Sequence, residues 1–184
     1  MAAGNRILRA PGRLVVGPSE AFLTGTFPYG GVQVGRVKDV SLRAVGSPYI
    51  VECEGLGGEI QEILERPSRW VLSMFLRGWD GDGIEALLGL GHEVGANTQH
   101  ATWSAPDVTS GTRASVRSVV LAYVPDDPVG VPGLVAWAAV PHWTDGAEIA
   151  YQRGAEFGIP LSCDLMRDSS SRIVTIGKLA DIEL

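Results

Sequence analysis

Few side chains in this sequence have the type and spacing that catalysis or metal binding requires. His92, His100 and His142 are scattered and lack the HxxxH or HExxH spacing that would turn two imidazoles toward one zinc ion. "DGDG" at 80–83 has the opening of a calcium loop, but the third ligand and the closing glutamate are missing, so it reads as a turn and helix cap. Cys53 and Cys163 have no metal-ligand spacing and read as buried thiols. There is no G-x-x-x-x-G-K-[ST] phosphate loop and no G-x-S-x-G elbow. "GLGHEVG" at 89–95 has the wrong spacing for a dinucleotide fingerprint and follows no strand. With no nucleophile, base or metal cluster to name, the expectation is a chain that is not an enzyme and holds no metal and no cofactor.

What is concentrated is charge. Glu52, Glu54, Glu59, Glu62 and Glu65 all precede the next basic residue, Arg66. Glu52 and Glu54 alternate with Val51 and Cys53, which makes one strand face acidic and the other apolar. Arg6, Arg9 and Arg13 lie in a polar, basic N-terminal arm, residues 1–13. Residues 1–51 carry six basic and two acidic side chains, 52–100 three and nine, and 101–184 six and ten. The total of −6 argues against a nucleic-acid binder, which would show a basic surface. A positive start and a negative middle also suit pairing between neighbouring copies.

The elements that must carry these residues are mostly strands. A chain of 184 residues, 45% hydrophobic, is long enough for one domain with a full core. Its 24 Gly and 11 Pro are spread along the sequence, as turns between short strands require. No run reaches the roughly 20 apolar residues of a membrane span, and the start lacks the apolar region of a secretory signal, so cytoplasmic synthesis and no membrane insertion are expected. Trp70, Leu72, Met74 and Leu76 share one face of a strand that must lie against a core. In 32–45 the apolar phase slips between Gly35 and Asp39, which predicts a bulge. "LVAWAAVPHW" at 134–143 is apolar on both faces, and "GIPLSCDLM" alternates cleanly, with 172–184 expected to return as its hairpin partner and Pro160 favouring an edge. One helix stands out, over about 82–90: Asp82 and Glu85 have capping-box spacing, and Ile84, Leu87 and Leu88 form an i, i+3, i+4 stripe that must dock. Residues 91–112 read as a long polar loop, with Trp103 in a short strand inside it. The expected fold is therefore all-β dominated: a single-domain sandwich or barrel of seven to nine strands with one short flanking α-helix.

The order of these features resembles the tail tube proteins of tailed bacteriophages. "VECEGLGGEIQEIL" is followed by "RWVLSMFLRGWDGDGIEALL", a strand running into a short helix. After the long loop comes the closing segment "GIPLSCDLMRDSSSRIVTIG". The resemblance is carried best by Glu59–Leu64, Arg77–Leu88 and Ile159–Gly177, and it spans most of the chain. It implies a fold shared with the type VI secretion tube, in which hexameric rings stack into a hollow tube. Such a tube encloses a tape measure protein and conducts DNA during ejection. Its other partners would be tail terminator and baseplate or tail-tip proteins and, in a contractile tail, a sheath protein. The place of the chain would be the virion tail, assembled in the host cytoplasm, and its helix would pack at a subunit boundary. On this reading Glu52, Glu54, Glu59 and Glu62 are lumen-lining candidates, because an acidic bore repels phosphates. Arg6, Arg9, Arg13 and Trp103 are inter-subunit candidates, and Asp82, Ile84, Leu87 and Leu88 dock the helix. Two alternatives stay open: a tail terminator or tube-end protein of the same fold, and a carbohydrate-binding β-sandwich that uses exposed Trp79, Trp103 or Trp143.

Overall fold

The computed structural model describes residues 6–8, 11–46, 49–52, 60–64, 69–88, 91–94, 101–104, 118–128, 130–143 and 158–184. The elements run β1 (Arg6–Leu8), β2 (Gly12–Val16), β3 (Val32–Val45), β4 (Tyr49–Glu52), β5 (Ile60–Leu64), β6 (Arg69–Trp79), α1 (Gly81–Leu88), β7 (Gly91–Val94) and β8 (Ala101–Ser104). They continue with β9 (Val119–Pro125), β10 (Gly133–Trp143), β11 (Ile159–Leu165), β12 (Val174–Gly177) and a 3-10 turn, Leu179–Asp181.

Six strands close into an antiparallel barrel in the order β3–β2–β9–β10–β11–β6, and β6 returns to pair with β3. β1 continues the line of β2 along β3, pairing Arg6 to Leu42 and Leu8 to Val40. The side chains facing inward form the main core: Leu14, Val34, Val37, Val40, Leu72, Met74, Leu76, Leu121, Leu134, Ile159, Leu161 and Cys163 are all buried. In β6 and β11 these are alternate residues, as the period of two requires, whereas in β3 the register shifts space Val34, Val37 and Val40 three apart. β10 is buried on both sides, as its sequence predicts. Leu134 and Ala136 face the interior, whereas Val135 and Trp137 join a second cluster outside with Val15, Phe22, Ala122, Leu179 and Ile182. The loop after β2 and the C-terminal 3-10 turn cover that outer face. Trp137 is fixed there by its Nε1–H donating to Thr175 Oγ1 at 2.9 Å and by the Arg172 guanidinium 3.5 Å above its ring.

The predicted bulge in β3 is present. Register shifts fall between Arg36 and Val37 and between Lys38 and Ser41, with Asp39 at φ +53° as the extra residue. Gly35, at φ 152°, occupies a conformation that side chains rarely adopt.

α1 touches β3, β2 and β10. β3 and β10 stand on opposite sides of the six-strand ring, so the helix lies across one mouth of the barrel. Ile84, Leu87 and Leu88 are buried among the interior side chains and plug that mouth. The apolar face of the helix therefore packs on its own barrel. The helix also begins earlier than the capping pattern suggested. Asp82 lies inside the first turn, and Asp80 precedes the helix, its carbonyl accepting the Ile84 N–H at 3.0 Å. "D-G-D-G" offers two aspartates, and the one nearer the strand is placed by its own N–H donating to Val34 O at 2.9 Å. Residues 89–90, the expected end, lie outside the described residues.

Further expectations are refined or corrected. The 1–13 arm is not free throughout, because Arg6–Leu8 pair with β3 and Gly12–Arg13 begin β2. The 91–112 loop contains an antiparallel hairpin in which His92 stands opposite Trp103. β12 pairs with β10, not with β11, because barrel closure occupies both edges of β11 with β6 and β10. Pro160 accordingly sits inside the barrel wall, one residue before the β10 pairing begins at Leu161. The barrel sheet has eight strands, within the expected seven to nine, and the two outlying hairpins bring the number among the described residues to twelve. No helix among the described residues is long and apolar enough to cross a membrane.

Gly83 marks the tightest contact between plug and barrel. A methyl group there would overlap the Gln33 carbonyl oxygen and Val34 Cα, both backbone atoms that cannot swing aside. Alanine would gain about 1 kcal/mol of helix propensity, but overpacking costs roughly 1–3 kcal/mol. Gly83→Ala is therefore expected to lower the urea midpoint, and Leu87→Ala to cost roughly 2–5 kcal/mol in the same measurement.

Candidate functional site

The acidic and basic residues singled out by sequence fall on different parts of the fold. Glu52 ends β4 opposite Ile60, and Glu62 in β5 stands opposite Val51, so the two carboxylates are not direct cross-strand partners. Glu54, Glu59 and Arg9 lie outside the described residues. Trp103 is at the centre of β8. The β4–β5 and β7–β8 hairpins form two-stranded sheets of their own, with no strand pairing to the barrel among the described residues. A two-stranded ribbon is at best marginally stable by itself.

Of the basic arm, Arg13 occupies the more informative position. It lies on β2 directly across from Arg36 of β3. Like charges facing each other across a ladder are destabilising. Arg77 adds a third guanidinium, as the extra residue where β6 bulges between the Arg36–Gly78 and Val37–Leu76 pairs. Further along β3, Lys38 and Arg43 stand opposite Phe75 and Val71, outward-facing residues of β6. Lys38 Nζ rests 4.9 Å above the Phe75 ring. Arg36, Arg43 and Arg77 are exposed. Asp126 lies 3.8 Å from Arg13 and Asp39 lies 4.0 Å from Lys38, both at the surface. The side chains of Arg36 and Arg43 make no ion pair or hydrogen bond among the described residues. Sequence reasoning named Arg13 alone of these five. Arg36, Lys38 and Arg43 were hidden because the bulge at Asp39 brings an odd-numbered residue onto the face of two even-numbered ones.

Around the barrel, β6, β11 and β10 carry a polar row. Ser162 stands opposite both Ser73 and His142, with the two serine hydroxyls 3.4 Å apart. Asp164 holds Arg69 through two hydrogen bonds, one of 2.7 Å to Nε, and its Oδ2 lies 3.7 Å from His142 Nε2. Ser, His and Asp therefore meet on one surface, as in an acyl-transfer triad. Two features oppose that chemistry. The carboxylate is committed to a bidentate guanidinium, and the site lies on the convex wall of a barrel, away from the cavity a substrate would need. The row is a cross-strand tie.

Two other features have defined chemistry. A groove of about 330 Å³ lies between the loop after β2 and the C-terminal turn, lined by Phe22, Tyr29, Pro128, Lys178, Leu179 and Ala180. It contains one cation and no nucleophile. Among the described residues no three His, Cys, Asp or Glu side chains converge on a point. No protein-family model matches the chain, and no curated protein matches it.

Cys163 is buried in the barrel, and burial, reinforced by the Asp164 charge, pushes its thiol up to about 12. It stays protonated and is no nucleophile. The unfolded thiol ionises near 9.0, so above that pH the unfolded chain loses a proton that the folded chain keeps. Stability should fall by up to roughly 1.4 kcal/mol per pH unit between those two values. Tyr123, likewise raised by burial and by Asp126, adds to the loss from about pH 10 upward. Urea unfolding at successive pH values should show the decline, and Cys163→Ala should remove the part that begins near pH 9.

Proposed function

We propose that the chain is a ring-forming structural subunit of a bacteriophage tail tube, hexameric rings stacking into a hollow conduit. The observation that carries this reading is the pair of outlying hairpins, β4–β5 and β7–β8. A closed barrel with its mouth plugged by α1 has satisfied its own core. Two further two-stranded ribbons outside that barrel gain little as parts of a monomer. They make sense as elements whose second face is supplied by neighbouring copies. The fold class agrees with the one the resemblance implies, a β-barrel with one short helix.

On this reading the acidic stretch Glu52–Glu65 lines the bore. Each Glu becomes a ring of six carboxylates, and the phosphates of passing DNA are repelled. The conduit would hold a tape measure protein until ejection and end at terminator and tail-tip components. Its place is the virion tail.

Negative-stain microscopy of the purified chain should show rings and stacked tubes. Rings that never stack would indicate a tube-end protein, and a chain that remains monomeric at high concentration would rule out the ring reading. Within assembled tubes, Glu52→Lys with Glu54→Lys should leave ring formation intact and slow DNA ejection. Loss of rings in that variant would place these residues at a subunit contact instead.

A further inference from the structure

Five of the chain's fifteen basic residues stand on one wall of the barrel: Arg13, Arg36, Lys38, Arg43 and Arg77. Arg13 and Arg36 are direct cross-strand neighbours, an arrangement that costs the isolated subunit stability. Local rules of this kind are broken mainly where function requires it. An anionic surface placed over the wall would turn the repulsion into attraction, and Arg36 and Arg43 are exposed and uncommitted among the described residues.

The chain's own charge indicates what covers the wall. The whole carries −6, and with these five cations on one wall the rest of the chain holds ten basic residues against 21 acidic in the full sequence, so a second copy is on balance an anionic partner. A wall-to-wall contact between copies would oppose Arg36 to Arg36. The favourable contact is therefore head-to-tail. Among the described residues, exposed carboxylates gather on the outer side of α1: Asp80, Asp82 and Glu85, with no basic residue in the helix. They sit over the barrel mouth, and no ion pair joins them to Arg36 or Arg43 of the same copy. A nucleic acid is the weaker fit, because phosphate binders carry a net basic charge and this chain does not.

We infer that the β2–β3–β6 wall is the receiving face of a head-to-tail contact between copies of this chain, and that it takes the acidic outer face of α1 from its neighbour. The inference rests on the ring-forming reading and names the two faces that meet. The test uses the full-length chain, with assembly followed by light scattering and sedimentation and with folding checked by circular dichroism. Arg36→Glu with Arg43→Glu should raise the concentration for half-assembly about tenfold or more, an effect that weakens as salt screens the contact. Adding Asp82→Lys and Glu85→Lys to the same chain should restore assembly, because every copy then presents the inverted pair. Folded Arg36→Glu/Arg43→Glu protein that assembles like wild type overturns the contact. A loss of assembly that the two lysines do not reverse overturns the assignment of α1. Binding of duplex DNA by the wild-type chain at about 0.15 M salt, abolished by the wall reversal, overturns the inference in favour of nucleic acid. Wild-type protein that remains monomeric removes the ring reading itself, a result distinct from all of these.

Discussion

The fold depends on one pairing, that of β3 with β6. The other barrel strands follow one another through a sheet that would stay open, and β3–β6 closes it. Closure removes the two free edges of the sheet, which would otherwise invite uncontrolled pairing, and it encloses a core that every strand can reach. It also imposes a geometric demand. A closed sheet of six strands must tilt and shear, and the strand that makes the closing pair takes up the mismatch. β3 does so with a bulge at Asp39, φ +53°, and with Gly35 at φ 152°, and β6 adds a bulge at Arg77.

The other features follow from that demand. Where β3 bulges at Asp39, Lys38 and Arg43 come to one outer face. Where β6 bulges opposite Arg36, Arg77 is pushed into the same neighbourhood. The cationic wall is thus a by-product of closure as much as of composition. At the other end of the same strand, Gln33 and Val34 receive α1 so closely that only glycine fits at position 83. β3 therefore serves the barrel wall, the mouth plug and the charged exterior at once. Closure also decides the route of the C-terminal strand, since β11 has no edge left and β12 must take the open part of β10.

What the sequence made legible was local. The alternation in 70–76 and 159–165, the two-sided burial of 134–139, the phase slip near Gly35 and the helical stripe Ile84–Leu87–Leu88 each depend on residues a few positions apart, and each appears in the structure. What was missed depends on distant segments. Nothing near Arg36 announces that Arg13 will face it across a ladder. Nothing in 172–184 announces that β11 is already occupied on both sides. The short strand expected around Trp103 is β8, but polar composition disguised its partner β7 as loop, because a ribbon outside the barrel has no core face to write an apolar alternation. The aspartate that precedes the helix was misplaced by two residues because Asp80 and Asp82 offer equivalent chemistry, and only the Asp80 N–H bond to Val34 O distinguishes them.

On the ring-forming reading proposed above, closure also constrains how copies of the chain would associate. An open sheet can recruit a neighbour by adding strands at its edges. Here six strands have no edge between them, and edge pairing is left to short segments: β1, β12 and the two outlying hairpins. Backbone hydrogen bonds at such edges give affinity but little discrimination, because every strand offers the same donors and acceptors. Discrimination has to come from side chains on the walls. A barrel with one cationic wall on an otherwise acidic chain repels its neighbour in a wall-to-wall arrangement and attracts it head-to-tail. A head-to-tail contact repeats: each copy that receives one neighbour still offers a face to the next. Whether the series closes into a ring or grows as an open helix is set by the angle between the two faces. In a barrel plugged by α1 that angle is fixed by covalent geometry and by the packing of Gly83 against β3. On the ring-forming reading, a rigid plug would turn that charge preference into a defined number of subunits.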